Sequence, residues 1–455
     1  MNIIASVVLW IVYIVSLYFS VFLFLVYLDH RKSIHALETV KTSTAHSMLR
    51  EESLKQEEPL KQKGPLKQEE SLKPLSVPKV SIIIPAYNEE KTILKTLRSV
   101  YDLSYPPDKI EVIAIDDGSK DGTLEVMRQF AKDKKNMVVI SHKNKGKAAS
   151  LNSGIEISTG EFFACLDADS FVHPLTLQKM MAMYDSSCDP RLAVITPAMK
   201  VYKPLNLLQK VQWLEYLVII LIARLSSEMD ALYVAPGPFS VYRTSVVRDI
   251  GGFDEKILTE DQEIAYRLQK HHYRIKQCPD GYVYTTTPST FKAFYRQRRR
   301  WYLGGMVCAS RYKEMIANRE YGDFGVMQMV KNVLGYAFAL IGIGFGLYLF
   351  LNPFYHYVRT LMLVHFDVLP YITNLKWKFT FLTFLTVDFR KGFLVLFLMI
   401  IGYFLFWASL RNAKEKASAY GWFPMIPYFA YYYTLKAFIL VGCAITFARG
   451  KKVKW

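Results

Sequence analysis

Between residues 80 and 170, short apolar runs recur with helical segments between them, and each run stops at a polar or acidic turn. VSIIIPAYNEE (80–90) has the composition of a buried strand ending in a turn, and KTILKTLRSVYDL (91–103) places apolar residues at helical spacing. IEVIAIDDGSKDGT (110–123) repeats the strand and adds an acidic loop. LEVMRQFAKD continues as helix, MVVISH (137–142) as strand, NKGKAASLNSGIEIS as loop then helix, and EFFACLDADS (161–170) as a strand ending in acids. Strands this apolar need cover on both faces, which alternating β and α units supply around a mainly parallel sheet. The pattern predicts an α/β domain. In such sheets ligands bind beyond the carboxyl ends of the strands, and here those ends carry Asn88, Asp116, Asp117, Asp167 and Asp169.

The chain around this domain is of a different kind. Of its 455 residues 51% are hydrophobic, which joins a soluble domain to several membrane helices. Residues 3–28 are uncharged and long enough to cross a bilayer. With no evident cleavage site they read as a retained anchor (1–29). Residues 52–74, ESLKQEEPLKQKGPLKQEESLKP, repeat Leu-Lys every six residues with prolines and a glycine between. Six matches neither helix nor strand, so 30–78 is expected to be a basic flank and a disordered tether. Residues 205–227 are apolar but hold Lys210, Glu215 and Arg224. An interfacial or buried helix is expected there rather than a crossing.

Beyond Trp301, residues 332–352 and 392–410 are clean spans, and 422–447 is long enough but contains Lys436. Asp367, Lys376 and Lys378 interrupt 357–388. Counting it gives five spans and places both ends of the basic pattern consistently; leaving it out gives four. The expected domains are therefore 79–305 for the α/β unit and 306–455 for an interfacial segment and membrane helices.

Net charge is +17. The excess gathers beside apolar segments, at His30-Arg31-Lys32, at 296–300 and at 449–454, as positive-inside anchoring against anionic lipid requires. That places the α/β domain on the cytoplasmic side. No nucleic-acid-binding motif organises these residues. The five cysteines, Cys165, Cys188, Cys278, Cys308 and Cys443, are scattered without a CxxC, which points away from disulfides and structural zinc.

Several motifs carry chemistry. Asp167-Ala168-Asp169 at a strand end turns two carboxylates into one crevice, a hard-oxygen set suited to Mg2+ or Mn2+ with substrate phosphates. Asp116-Asp117-Gly118-Ser119 ends an earlier strand; an acceptor carboxylate there can take the imide N–H of uracil, while Ser119, Asp121 and Thr123 are also good helix caps. Lys147, after Asn144-Lys145-Gly146, reads either as a phosphate contact or as a solvated lysine. Thr259-Glu260-Asp261 opens a helix, where acids are favoured by the dipole and where a carboxylate can also act as a base. In FYRQRRRWYLGG (294–305), Gln297 and Trp301 lie four apart on one helical face with Arg300 beside them, and Arg298 and Arg299 diverge. An indole can stack on a sugar ring, and a guanidinium can grip a diphosphate.

In this order, VSIIIPAYNEE, AIDDGSKDGT, LDADS, TED and QRRRW resemble the family 2 glycosyltransferases. The set of D, DxD, TED and QxxRW resembles in particular the processive membrane synthases of cellulose, chitin, hyaluronan and poly-N-acetylglucosamine. The resemblance covers about residues 79–305. It implies a GT-A type nucleotide-sugar-binding fold. It implies that Asp117 and Lys147 hold the nucleotide with Ala86, Tyr87 and Glu89, and that Asp169 holds the metal with Asp167 beside it on the donor. It makes Asp261 the base with Glu260 at its side, and has Arg300, Gln297 and Trp301 clamp diphosphate and acceptor. APGPFSVYR (235–243) is similar to an acceptor-side loop of the chitin and hyaluronan synthases, with Gly237 and Pro238 at its turn. The tether at 52–74 departs from the family pattern.

The expected activity is inverting polymerisation of a β-linked polysaccharide from a UDP-sugar, with UDP-N-acetylglucosamine favoured, and with the product passing between the membrane helices. Transfer of one sugar to a lipid acceptor is the alternative, and a non-catalytic membrane scaffold a third reading. Arg298 and Arg299 are left for lipid headgroups. Any accessory subunit is not legible in the chain.

Overall fold

The computed structural model describes residues 6–7, 10–30, 77–363 and 389–450. The tether at 52–74, the basic residues 31–32 and 451–454, and most of the interrupted segment 357–388 lie outside the described residues.

After a first helix, α1 (Trp10–His30), β and α elements alternate. They are β1 (Val80–Ala86), α2 (Ile93–Tyr101), β2 (Ile110–Asp116), α3 (Thr123–Ala131), β3 (Met137–Ser141), α4 (Lys147–Ile157) and β4 (Phe162–Cys165). Then come β5 (Phe171–Val172), α5 (Thr176–Ser187), β6 (Leu192–Val201), α6 (Leu207–Glu228), β7 (Val241–Arg243), α7 (Thr244–Asp249), α8 (Glu260–Lys270), β8 (Arg274–Thr285) and α9 (Phe291–Arg311). Three long helices follow: α10 (Val330–Leu363), α11 (Phe389–Asn412) and α12 (Tyr433–Ala448).

Among the described residues the strands form one eight-stranded sheet in the order β3-β2-β1-β4-β7-β6-β8-β5. β3, β2, β1 and β4 are parallel neighbours, as the apolar runs predict, and β6 and β8 are also parallel. The β4–β7, β7–β6 and β8–β5 pairings are antiparallel, so the sheet is mixed beyond β4.

The alternation within β1 explains the two-sided core. Val80, Ile82 and Ile84 face α2 and α5, packing with Ile93, Leu97, Leu177 and Met180. Ile83 faces the other way, with Ile113, Ile115 and Phe163, against Leu151 and Ile155 of α4 and Ile264 and Leu268 of α8. Burying each such aliphatic side chain fully contributes about 1.5–3 kcal/mol. Gly154 lets α4 lie close, because a Cβ there would collide with Ile83.

α6 begins at a capping box, with Gln209 N donating to Asn206 Oδ1 at 2.9 Å and Asn206 N donating to Gln209 Oε1 at 3.3 Å. It packs against β6 and β8 on one side and α11 on the other. A separate core joins α6 and α9 to the long helices, through Trp213, Leu214, Phe294, Leu303, Phe406, Tyr432 and Leu440. Val26 and Tyr27 of α1 pack with Leu221 and Leu225 of α6 and Ala408 of α11. Among the described residues four helical stretches are long and apolar enough to cross a membrane: Trp10–His30, Phe324–Leu363, Gly392–Asn412 and Met425–Ala448. α6, expected to be interfacial or buried, is not one of them.

Candidate active site

The carboxyl ends of β1, β2 and β4 converge on one crevice. Asp117 follows β2, and its amide donates to Ala86 O at the end of β1 at 2.9 Å. Gly118 has φ +73°, and a Cβ there would lie 2.7 Å from Asn144 N, so the 117–119 turn fits tightly against the loop before α4. Asp117 is buried, and its two oxygens accept from Lys145 N at 2.8 Å and Gly146 N at 2.9 Å. His142 Nδ1 lies 3.3 Å from the same carboxylate. Asp117 thus shapes the loop that presents Lys147, the first residue of α4. Asp116 has a local task, accepting from Ser119 N at 3.1 Å and Ser141 Oγ at 2.9 Å. The N-cap of α3 is Gly122, without a side-chain cap, and Asp121 just before it braces the turn, its Oδ1 accepting from Thr123 N at 3.1 Å. On the β1 side Ala86 is buried, Tyr87 is exposed, and Glu89 Oε2 accepts from Thr92 Oγ1 at 2.6 Å.

Lys147 is the centre of the site. Its Nζ lies 2.5 Å from Asp167 Oδ1 and 3.0 Å from Glu260 Oε1. Burial alone lowers an ammonium pKa, yet the charges of Asp167, Glu260 and Asp261 hold this one well above the usual lysine value. Asp169 sits in the crevice wall with solvent access. Enclosure first, and then the Asp167 and Glu89 carboxylates, push its pKa up to about 6. Gly237 closes over this pair: a Cβ there would collide with Lys147 Nζ and lie 3.0 Å from both Asp167 oxygens. Pro238 beside it is buried.

Asp261 stands in the first turn of α8. Its carbonyl accepts from Ala235 N at 3.1 Å, which ties the 235–238 loop to this helix end. Burial is the largest cause and the Glu260 charge the next in raising its pKa to about 6, against the pull of Lys147 and Arg300. Arg300 therefore stands electrostatically within reach of Asp261. α9 comes this close because Gly304 has no side chain, since a Cβ there would collide with Thr259.

Gln297 and Trp301 are both half-buried on α9, and Gln297 Oε1 is buried without a hydrogen-bond partner. Arg298 overturns an expectation. It is 1% exposed, too enclosed to meet a lipid headgroup. It pairs with Glu215 of α6 and stacks 4.1 Å from the Trp301 ring centroid. The helical phase that turns Gln297 and Trp301 inward also turns Arg298 toward α6. His142 and the Glu215 pair were not singled out from the sequence; a carboxylate in an otherwise apolar helix was the signal for the second.

Residues 81–251 match the family described as glycosyl transferase family 2. The chain is 34% identical over 230 residues to a poly-beta-1,6-N-acetyl-D-glucosamine synthase of Staphylococcus epidermidis, covering 50% of this chain and 55% of that protein. It thus spans about half the length of the curated relatives it matches. Two solved structures resemble it at lower similarity. One is a mannosyltransferase from Pyrobaculum calidifontis in complex with GDP-Man and Mn2+, with 20% identity, TM-score 0.45, and 72% and 92% of the two chains covered. The other is S. aureus TarS 1-349 in complex with UDP-GlcNAc, with 22% identity, TM-score 0.41, and 58% and 75% covered.

Proposed function

Because this chain carries a family 2 glycosyltransferase domain of GT-A type, we propose that it is an integral membrane synthase building a β-linked polysaccharide from UDP-N-acetylglucosamine. Its catalytic domain, 79–305, faces the cytoplasm, the glycan passes between the apolar helices, and membrane lipids surround them. The observation that carries the reading is the convergence on Lys147. One ammonium holds Asp167 of the DxD and Glu260 of the TED together, residues from distant parts of the chain, with Asp261 beside them. The relatives' printed activity supports the sugar and the polymer.

The donor set suits a divalent cation. Burial first and then the neighbouring carboxylates raise the Asp169 pKa, a cation relieves the second of these, and two carboxylates leave room for water and phosphate oxygens. Among the described residues no cluster of three or more His, Cys, Asp or Glu offers an all-protein cage. Asp169, with Asp167 beside it, would hold Mg2+ or Mn2+, which supplies charge neutralisation at the diphosphate when bound.

The chain's own residues account for the rest. Lys147 and Arg300 are the cations that act on Asp261, and preorganised cations beside the base would stabilise the diphosphate leaving group. Asp261 takes the proton of the acceptor hydroxyl. That oxygen bonds to the anomeric carbon from the face opposite the diphosphate, the carbon–oxygen bond to UDP breaks, and the configuration inverts. A carboxyl poised near pH 6 is ionised at neutral pH and still basic enough to help. Trp301 and Gln297 receive the acceptor sugar. The test is Asp261→Asn in purified protein. The expected result is a fall in turnover of about 100- to 10,000-fold, the usual contribution of a positioned base, with UDP binding retained. Unchanged turnover would remove Asp261 from the role.

A further inference from the structure

Glu215, Arg298, Tyr432 and Lys436 lie on three different helical segments and meet in one buried cluster. Glu215 is 6% exposed and Arg298 1% exposed. Glu215 Oε2 pairs with Arg298 Nη2 and accepts from Tyr432 Oη at 2.7 Å, and Oε1 accepts from Lys436 Nζ at 2.7 Å. Arg298 Nη2 also donates to Tyr432 Oη at 3.3 Å. One carboxylate therefore ties α6 to α9 and to α12, the last of these within a stretch long and apolar enough to span a membrane.

Fold stability alone does not call for such a cluster. Burying ions costs several kcal/mol each, and apolar side chains of similar volume often serve as well or better. What a buried ionic contact adds is register, since a slipped helix leaves charges unpaired. Here the register matters at a defined place. The Arg298 guanidinium that Glu215 holds lies 4.1 Å from the Trp301 ring centroid and 5.1 Å from that of Phe294. Arg298 Nε and Nη1 have no hydrogen-bond partner, so its position depends on Glu215, Tyr432 and the rings. Arg300 acts on Asp261, and Gly304 seats α9 on Thr259. α9 is thus fixed to the base at one point and to α12 at another.

We propose that Glu215, Arg298 and Lys436 are positioning residues that set Trp301, and through it the acceptor end of the glycan, in register with the membrane helix α12. This rests on the reading of Trp301 as an acceptor-side residue. Among the described residues no ion pair joins the cluster to Lys147, Asp167 or Asp169 of the donor half. Loosening the cluster at its membrane end should therefore impair extension and spare nucleotide binding.

The experiment uses the full chain in phospholipid nanodiscs. UDP binding is measured by calorimetry, and the rate and length of polymer made from labelled UDP-N-acetylglucosamine are measured on gels. Lys436→Met keeps the stem and removes the charge, and Lys436→Arg restores it. The expectation is UDP affinity within about twofold of wild type and product shortened by about fivefold or more in Lys436→Met, the lower end of usual site-to-site coupling. Lys436→Arg should recover most of the length. Wild-type length and rate in Lys436→Met would overturn the inference. Parallel loss of UDP binding would overturn it too, by showing a general structural role; if Lys436→Met does not fold, Tyr432→Phe takes its place with the same expectations. A wild-type chain that binds UDP but makes no polymer would instead sink the proposed function, and the inference with it.

Discussion

Lys147→Met should move the pH dependence of turnover. Lys147 Nζ lies 3.0 Å from Glu260 and 2.5 Å from Asp167, and it is one of two cations that hold down the pKa of Asp261, which burial and Glu260 have raised to about 6. Removing the ammonium disfavours the ionised carboxylate, so the Asp261 pKa rises. A neighbouring opposite charge is worth about 1–3 pKa units, which sets the scale of the upward shift. A base works only when ionised, so turnover is lost as pH falls through the pKa, and the acid limb of the profile moves to higher pH. The assay is UDP release at saturating donor between pH 5 and 9, read from the position of the acid limb rather than its height, since Lys147 also serves the donor. An acid limb that stays near 6 in Lys147→Met would refute the electrostatic coupling.

Three further outcomes are expected. Glu215→Gln leaves the buried Arg298 and the half-buried Lys436 without their carboxylate and should cost about 3–5 kcal/mol, read as a lowered thermal midpoint in detergent. Replacing all three residues by Met should recover most of it. Gly237→Ala puts a methyl group against Lys147 and Asp167 and should cut turnover by about a hundredfold, the usual penalty of a misplacement near 1 Å, with an unchanged thermal midpoint. A chelator should abolish turnover, and Mg2+ or Mn2+ should restore it, while the thermal midpoint of the nucleotide-free protein stays put.

The sequence shows its parallel half plainly because β1, β2, β3 and β4 are long or apolar enough to carry their own pattern. β5 and β7 have two and three residues, too few to show any periodicity, and their pairing is set by distant strands. The DxD, TED and QxxRW residues are legible because each motif is local. That Lys147 would join Asp167 to Glu260 is not, since the partners lie in separate elements and only the sheet brings them together. The fate of Arg298 was beyond local reading for the same reason. A basic run beside apolar helices has the composition of a lipid contact, and the burial of Arg298 depends on Glu215, 83 residues before it in the chain, and on Tyr432, far after it.

The central claim is tested most directly by sizing the product. Membranes containing the chain, and Asp261→Asn membranes as control, are incubated with Mg2+ or Mn2+ and labelled UDP-sugars, singly and in pairs. The account predicts high-mass product from UDP-N-acetylglucosamine alone, absent from the control. Label confined to a small lipid, or polymer that needs two donors, would contradict it.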